Sequence, residues 1–221
     1  MKTATQKAAA RPGPGPGDGV LVDPGWLAGH LDDAGLRVVE VDVSPAAYDH
    51  WHIDGAVLWN IYTAVKDAGY RAVVTAARYS LGGQDRRIRA DRAAVHDAIG
   101  RPGTTLVDVR SAAEYRGDCF WPSGGMEPGG RAGHVPSAVH QPIDGLCNPD
   151  GSFRSAAQLR GVFSPAVLDG GPELITYCTI GGRAATAWFV LTHLLGRDRV
   201  RVYDGSWAEW GRIPGTPVER P

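Results

Sequence analysis

The chain has 221 residues, 43% of them hydrophobic, and its 23 lysines and arginines nearly balance its 24 aspartates and glutamates. Binders of nucleic acids or anionic membranes need a large excess of cations, so this balance predicts that neither is a partner. No apolar run approaches the roughly 20 residues that a membrane-spanning helix requires. The 30 glycines and 16 prolines indicate many turns and short elements rather than long helices.

The first 18 residues contain an alternating Pro-Gly run and basic residues without a following apolar core. This composition predicts a flexible tail rather than a secretory signal. The three cysteines, Cys119, Cys147 and Cys178, are an odd number in a chain with no predicted export signal. We therefore expect a reduced, cytoplasmic protein whose thiols are free.

Short runs rich in valine and isoleucine alternate with segments of helical spacing, a pattern that predicts an α/β fold. Strands are predicted at residues 38–43, 56–59, 105–109, 138–141, 174–177 and 200–203. Helices are predicted at residues 92–99 and 184–195, the second with a C-cap at Gly196.

Two segments of the chain carry the same features in the same order. A strand ends in Asp-Val at 42–43 and again at 108–109, and a His-apolar-x-small-Ala motif follows at 52–56 and 134–138. This repetition predicts a duplicated unit. Only the second copy continues into a further strand, a glycine loop and a helix. We expect an abbreviated unit at 19–87 and a complete one at 88–221.

The stretch that carries the clearest chemistry is the loop of Cys178, Thr179, Ile180, Gly181, Gly182 and Arg183, which lies between a predicted strand and a predicted helix. Glycines let successive N–H groups converge, and the helix N-terminus adds partial positive charge. Arg183 adds a permanent cation. The loop is therefore predicted to stabilise Cys178 as a thiolate, a nucleophile for sulfur or carbon electrophiles. The alternative is a buried structural cysteine at a strand end.

Four motifs resemble the rhodanese family, in particular its tandem-domain thiosulfate and 3-mercaptopyruvate sulfurtransferases. They are Val-Asp-Val-Arg-Ser at 107–111 with Glu114 and Tyr115, Gly-His-Val-Pro-Ser-Ala at 133–138, the loop 178–183, and Tyr-Asp-Gly-Ser-Trp at 203–207 with Glu209 and Trp210. The resemblance implies two rhodanese-like units with small parallel sheets flanked by helices, the first unit truncated and inactive. It also implies a persulfide on Cys178, held by the amides of residues 179–183, with no metal or organic cofactor.

The implied reaction is a double displacement. Cys178 would take sulfane sulfur from thiosulfate or 3-mercaptopyruvate and pass it to a thiol or cyanide acceptor. Arg116 matches an arginine that binds the substrate carboxylate in the mercaptopyruvate enzymes, but a second substrate arginine is missing. Thr179 stands where many thiosulfate-using relatives have a cation, which weakens the field for a charged donor. These departures favour an alternative, a sulfur-relay protein that delivers persulfide sulfur to a carrier protein or biosynthetic enzyme.

The cysteine loop also bears on two other functions, phosphoryl transfer and noncatalytic binding. Phosphatase relatives of the fold place five residues between the cysteine and the arginine, whereas four separate Cys178 from Arg183. Phosphoryl transfer is therefore disfavoured. A noncatalytic rhodanese-like binding module would require Cys178 to be unreactive.

We expect structural roles for four charged or titratable residues of these motifs. Asp108, Arg110 and Glu114 should form an ion-pair network near the cysteine loop, because charged groups at a strand end need partners. His134 should be a turn histidine bonded to nearby backbone.

With the first unit truncated, we expect a more open Cys178 loop, or one covered by Phe120 and Trp121 or by a second subunit.

Overall fold

The computed structural model describes residues 20–42, 45–60 and 86–221. The predicted tail at 1–18 and the end of the first predicted strand lie outside the described residues. The described residues divide into two compact units, which we call the first unit (residues 20–42 and 45–60) and the second unit (residues 86–221).

The first unit contains two short helices and a pair of strands. Its elements are α1 (Pro24–His30), β1 (Val39–Asp42), α2 (Pro45–His50) and β2 (Val57–Asn60). The strands pair in parallel, with Val39 opposite Val57. Ala56 is the only buried residue in the described part of this unit, so the two strands support almost no core.

The second unit is a four-stranded parallel sheet with helices around it. After a 3₁₀ turn at Arg86–Ile88 come α3 (Arg92–Ala98), β3 (Thr104–Asp108), α4 (Ala112–Arg116), β4 (Val139–His140), α5 (Ala156–Arg160), α6 (Pro165–Leu168), β5 (Glu173–Tyr177), α7 (Gly182–Phe189), β6 (Val200–Val202) and α8 (Ser206–Trp210). The strand order is β4-β3-β5-β6, and every neighbouring pair is parallel.

The sheet is buried on both faces, which is why its strands read as nearly continuous apolar runs. Successive side chains of a strand point to opposite faces. Val107 and Leu174 accordingly belong to one core cluster, which also contains residues of α7. Leu106 and Ile175 belong to the other, with the tryptophans of α8.

All six predicted strands and both predicted helices are present, and the α/β class is confirmed. The helix predicted at 184–195 begins earlier, at Gly182, and after Phe189 it widens into a π-helical turn, Val190–Leu194. There the Leu195 N–H donates to the Val190 carbonyl at 2.9 Å. Among the described residues, no helix is long and apolar enough to cross a membrane.

The duplicated motif has the same local structure in both units. Tyr48 of α2 stacks on His52 with ring centroids 4.1 Å apart, and Tyr115 of α4 stacks on His134 at 3.7 Å. Nδ1 of each histidine lies 2.9 Å from the carbonyl oxygen of its tyrosine. The repeat predicted from the sequence therefore has a structural counterpart in the two units.

Candidate active site

Cys178 directly follows β5, one of the two central strands of the sheet. The chain passes from β3 to β4 on one side and later to β5 on the other, so the carboxyl ends of β3 and β5 border a topological switch point. Open parallel sheets bind their ligands at such points. Cys178 is only 1% exposed, so the thiol lies in a protected position at that edge.

The loop backbone folds over the sulfur. The Gly181 N–H donates to Cys178 Sγ at 3.2 Å, and α7 begins at the next residue. Gly181 has φ of +92°, and a β-carbon there would lie 2.8 Å from the Asp204 carbonyl oxygen. Only glycine satisfies both the conformation and the close approach.

The first residues of α8 anchor the base of the loop. Ser206 Oγ accepts a hydrogen bond from the Cys178 N–H at 3.1 Å. The Trp207 N–H donates to the Cys178 carbonyl at 3.0 Å, and the Ala208 N–H to the Thr179 carbonyl at 2.8 Å. Ser206 is buried and has φ of +52°, which is strained for a non-glycine residue. The sequence pattern alone predicts no role for Ser206.

The residues that follow Cys178 in the sequence provide further backbone N–H donors. Within the described residues, no backbone acceptor pairs with the N–H groups of Thr179, Ile180, Gly182, Arg183 and Ala184. The last three belong to the first turn of α7, where N–H groups have no intrahelical acceptor. Such donors, together with the helix dipole, bind anions. The Ile180 side chain at this loop is 53% exposed.

Glu114 connects α4 to the cysteine loop. Its carboxylate is fully buried and accepts hydrogen bonds from Arg183 Nη1 at 2.9 Å and Nη2 at 2.7 Å. It also accepts from the Thr179 hydroxyl and, at 3.0 Å, from the N–H of Ser111, the N-cap residue of α4. Arg183 Nη2 further donates to Thr179 Oγ1 at 2.8 Å. These bonds hold Thr179 and Arg183 against a helix residue that lies 65 and 69 positions before them in the sequence.

The electrostatics of this cluster favour the ionised pair. Burial raises the pKa of Glu114, but the hydrogen bonds from Arg183, Thr179 and Ser111 outweigh it and lower the pKa to about 2. Burial lowers the pKa of Arg183, and the bonds and charge of Glu114, with a smaller contribution from Cys178, raise it above its usual value. Arg183 is therefore a cation neutralised by Glu114.

The expected single network of Asp108, Arg110 and Glu114 is instead two ion pairs. Arg110 Nη2 lies 2.6 Å from Asp108 Oδ2, both side chains fully buried, and its guanidinium sits 4.6 Å from the Trp207 ring centroid. Glu114 pairs with Arg183. The reason is local: Glu114 occupies the third position of α4 in a capping box, so its carboxylate turns back toward the helix N-terminus.

His134 lies between α4 and the end of the chain. Its Nδ1 is 2.9 Å from the Tyr115 carbonyl oxygen, and its Nε2 is 3.8 Å from Glu219. Its backbone exchanges two hydrogen bonds with Glu219, each 2.9 Å. These contacts fasten the C-terminal segment to α4.

Arg116 ends α4 on the solvent side. Its Nε and Nη2 donate to Asp118 Oδ2 at 3.0 and 2.8 Å, and both side chains are more than half exposed. Helix residues two apart do not share a face, so Arg116 is directed away from the face on which Glu114 meets the loop.

Cys178 itself is almost fully buried, while Ile180 of the same loop is exposed. That the loop is more open than in full-length relatives, or covered by a second subunit, stays a prediction. Phe120 belongs to the core with Trp207 and Trp210. Trp121 donates through Nε1 to Glu127 at 3.0 Å.

The two other thiols differ in environment. Cys119 is buried, which raises the pKa of its thiol, whereas Cys147 is exposed. In the described part of the chain, no group of three or more His, Cys, Asp or Glu residues is arranged to hold a metal ion.

A cysteine at the end of a central strand, next to a glycine loop and a helix N-terminus, is an arrangement suited to binding an anion at that sulfur. The family model of the rhodanese-like domain matches residues 91–213. The chain belongs to the rhodanese family.

The curated relatives extend over nearly the whole chain. The chain is 32% identical to a Haloferax volcanii protein named "Putative thiosulfate sulfurtransferase", with 91% of this chain and 96% of that protein covered. It is 41% identical to "Sulfur carrier protein TtuD" of Thermus thermophilus, with the same coverage. The first alignment spans 276 positions although this chain has only 221 residues, so parts of that relative have no counterpart here.

Solved structures of larger enzymes contain a similar region. An EanB variant with ergothioneine covalently linked to its persulfide cysteine is 26% identical with a TM-score of 0.56, covering 76% of this chain and 42% of that one. The anaerobic ergothioneine biosynthesis enzyme of Chlorobium limicola is 29% identical with a TM-score of 0.51, covering 61% and 32%. The chain thus spans less than half the length of these proteins.

Proposed function

We propose that the second unit is a sulfurtransferase that carries sulfane sulfur as a persulfide on Cys178, with thiosulfate or 3-mercaptopyruvate as the donor. The observation that carries this proposal is the Gly181 N–H directed to Cys178 Sγ at the start of α7. A persulfide places a negative charge one bond beyond that sulfur, where the helix dipole and the N–H groups of residues 179–183 would stabilise it.

The proposed chemistry is two displacements at sulfur. The Cys178 thiolate attacks the outer sulfur of thiosulfate; a new S–S bond forms, the old one breaks, and its electron pair leaves with sulfite. With 3-mercaptopyruvate the C–S bond breaks, and the leaving carbon takes the thiol proton to give pyruvate. The terminal sulfur of Cys178-S-S⁻ then passes to cyanide or a thiolate, which regenerates the cysteine thiolate. The proposal requires no metal or organic cofactor.

We assign catalysis to residues 88–221 and none to residues 19–87, with residues 1–18 as a tail. The chain has no cysteine before Cys119, so the first unit offers no thiol on which a persulfide could form. In the catalytic unit Asp108, Arg110 and His134 support the fold, while Glu114 holds the loop. Arg116 is the candidate ligand for a donor carboxylate, although its present partner is Asp118.

The direct test is intact-protein mass spectrometry after incubation with each donor. We expect a gain of one sulfur atom that is lost on cyanide treatment and absent in Cys178→Ser. Cys147→Ser is the matched control, since it removes an exposed thiol outside the loop and should load normally. Wild-type protein that gains no sulfur from any donor, or Cys178→Ser protein that still gains it, would refute the assignment.

A second candidate is a sulfur-relay protein that hands persulfide sulfur to a carrier protein or biosynthetic enzyme. The 41% identity to a sulfur carrier protein and the exposed Ile180 beside the cysteine favour it. A single-turnover experiment separates the two functions. Rapid thiocyanate formation from a small donor and cyanide indicates the small-molecule enzyme, whereas stable Cys178 loading with slow release to cyanide indicates relay.

A further inference from the structure

The charge of the cysteine loop resides in one side chain. Of residues 178–183, only Arg183 carries a permanently charged group. Both of its Nη atoms bond the Glu114 carboxylate, and one also bonds Thr179. The cation that the sequence places beside an anionic donor is thus already paired.

The pairing is built into the interior of the second unit. Glu114 has no exposed surface, and its two oxygens accept from the backbone and hydroxyl of Ser111, from Thr179 and from Arg183. An ionised carboxylate persists in such a site only because charged and polar donors surround it. The Glu114–Arg183 pair therefore contributes no net charge to the loop.

A neutral loop discriminates among sulfur donors by their charge. Backbone N–H groups and a helix N-terminus supply about half of one positive charge, which suits a single negative charge on sulfur. Thiosulfate brings two negative charges, and each charge taken from water into a protected site needs compensation. A donor with one charge loses less solvation there.

We propose that Glu114 is a specificity-determining positioning residue: by neutralising Arg183 while holding the loop, it makes Cys178 select monoanionic sulfur donors over the thiosulfate dianion. The monoanionic class comprises organic persulfides, thiosulfonates and 3-mercaptopyruvate. This inference rests on the sulfurtransferase function proposed above and specifies its donor.

Methanethiosulfonate anion, CH₃SO₂S⁻, is the matched probe. It presents the same outer sulfur as thiosulfate with one charge fewer. The Cys178 thiolate forms a bond to that sulfur, the S–S bond of the donor breaks, and the electron pair leaves on methanesulfinate. The two donors therefore differ in charge while the transferred atom and the bond broken are the same.

The experiment is a charge series measured at fixed ionic strength with cyanide as acceptor. The variants are wild type, Glu114→Gln, Arg183→Gln and the double variant. Their pair charges are zero, plus one, minus one and zero at a pH where Glu114 stays ionised in Arg183→Gln. The measured quantity is kcat/KM for thiosulfate divided by kcat/KM for methanethiosulfonate. We expect the ratio to rise about tenfold in Glu114→Gln, fall about tenfold in Arg183→Gln and return near wild type in the double variant.

The ratio separates charge from structural damage, because a misplaced loop slows both donors together. Equal ratios across variants that still load sulfur would overturn the inference and leave the sulfurtransferase function intact. Wild-type protein that gains sulfur from none of thiosulfate, methanethiosulfonate and 3-mercaptopyruvate would instead remove the function itself. If Glu114→Gln does not fold, Arg183→Gln decides when it is measured above the pH at which Glu114 ionises in that variant, since an unchanged ratio there also contradicts the inference.

Discussion

Tyr48 and Tyr115 make the same contacts in two units that differ in how far their strands are buried. Each tyrosine hydroxyl donates to the carbonyl of the alanine that closes its His-x-x-x-Ala motif, Tyr48 to Ala56 at 2.6 Å and Tyr115 to Ala138 at 3.0 Å. Each motif leads into a strand that pairs in parallel with the one before it. The repeated sequence therefore encodes a strand, a helix, a turn and a second strand, but no reactive group.

The difference between the units lies in what covers the strands. β1 and β2 leave Val39, Val41 and Trp59 exposed by 46, 57 and 56%. Leu106 and Val107 of β3 are buried, because helices and loops pack on both faces of the four-stranded sheet. A parallel pair alone cannot bury its two faces. Protection of the thiol therefore requires a larger sheet than a strand pair. β5 belongs to that larger sheet, and Cys178 directly follows it.

Gly181→Ala should have the largest effect. It tests whether the geometry of the cysteine loop is what gives the second unit, and not the first, its sulfur-loading activity. The new β-carbon would meet the Asp204 carbonyl at 2.8 Å in a residue with φ of +92°. The loop would shift and move the N–H group away from Cys178. We expect the rate of sulfur loading to fall about hundredfold, because a displacement near 1 Å can cost that much.

Gly55→Ala is the matched control in the first unit. Gly55 also has positive φ, +76°, but no atom lies within 4 Å of the position that a β-carbon would take there. The substitution should cost about 1 kcal/mol of stability through strain and leave loading unchanged. Equal losses of loading in both variants would contradict the division of roles between the units.

Acidification should weaken the Glu114–Arg183 ion pair of the second unit. The folded pKa of Glu114, about 2, lies below its usual value of 4.5. A depressed carboxyl pKa gives stability that is fully present above pH 4.5 and is lost as the pH falls toward 2, amounting to about 3 kcal/mol. Urea unfolding at pH 7 and pH 3 should show about 2 kcal/mol of this loss in wild type, since pH 3 still lies above the folded pKa, and Glu114→Gln should show a smaller pH dependence. An identical pH dependence in both proteins would exclude Glu114 as the cause.

The sequence predicted the sheet and the cysteine loop because both are local patterns. The pairing of Glu114 with Arg183 was not predictable, since the two residues are 69 positions apart and meet only through the packing of α4 against the loop. Ser206 was missed for a similar reason: its role depends on a strained backbone that no residue pattern indicates. The five-residue helix α4 is too short for periodicity, although its Ser-x-x-Glu capping box at Ser111 marks its start.

The tyrosine hydroxyls provide a smaller, paired test of the duplicated motif. Tyr115→Phe removes a bond to Ala138 in the second unit, and Tyr48→Phe removes its counterpart in the first. Each should cost about 1 kcal/mol in its own unit. Amide hydrogen exchange can assign the loss to β3 and β4 or to β1 and β2. Loss of protection in the wrong unit would show that the motifs are not independent modules.

The smallest effect is expected at Arg116, where the exposed pair with Asp118 competes with substrate. Arg116→Ala should raise KM for 3-mercaptopyruvate about threefold with kcat unchanged, because an exposed ion pair contributes less than about 1 kcal/mol. Asp118→Asn, which frees the guanidinium, should lower that KM by a similar factor. KM for cyanide should not respond, since that acceptor has no carboxylate. If Arg116→Ala and Asp118→Asn change KM in the same direction, Arg116 does not bind the donor carboxylate, and the loop alone selects the donor.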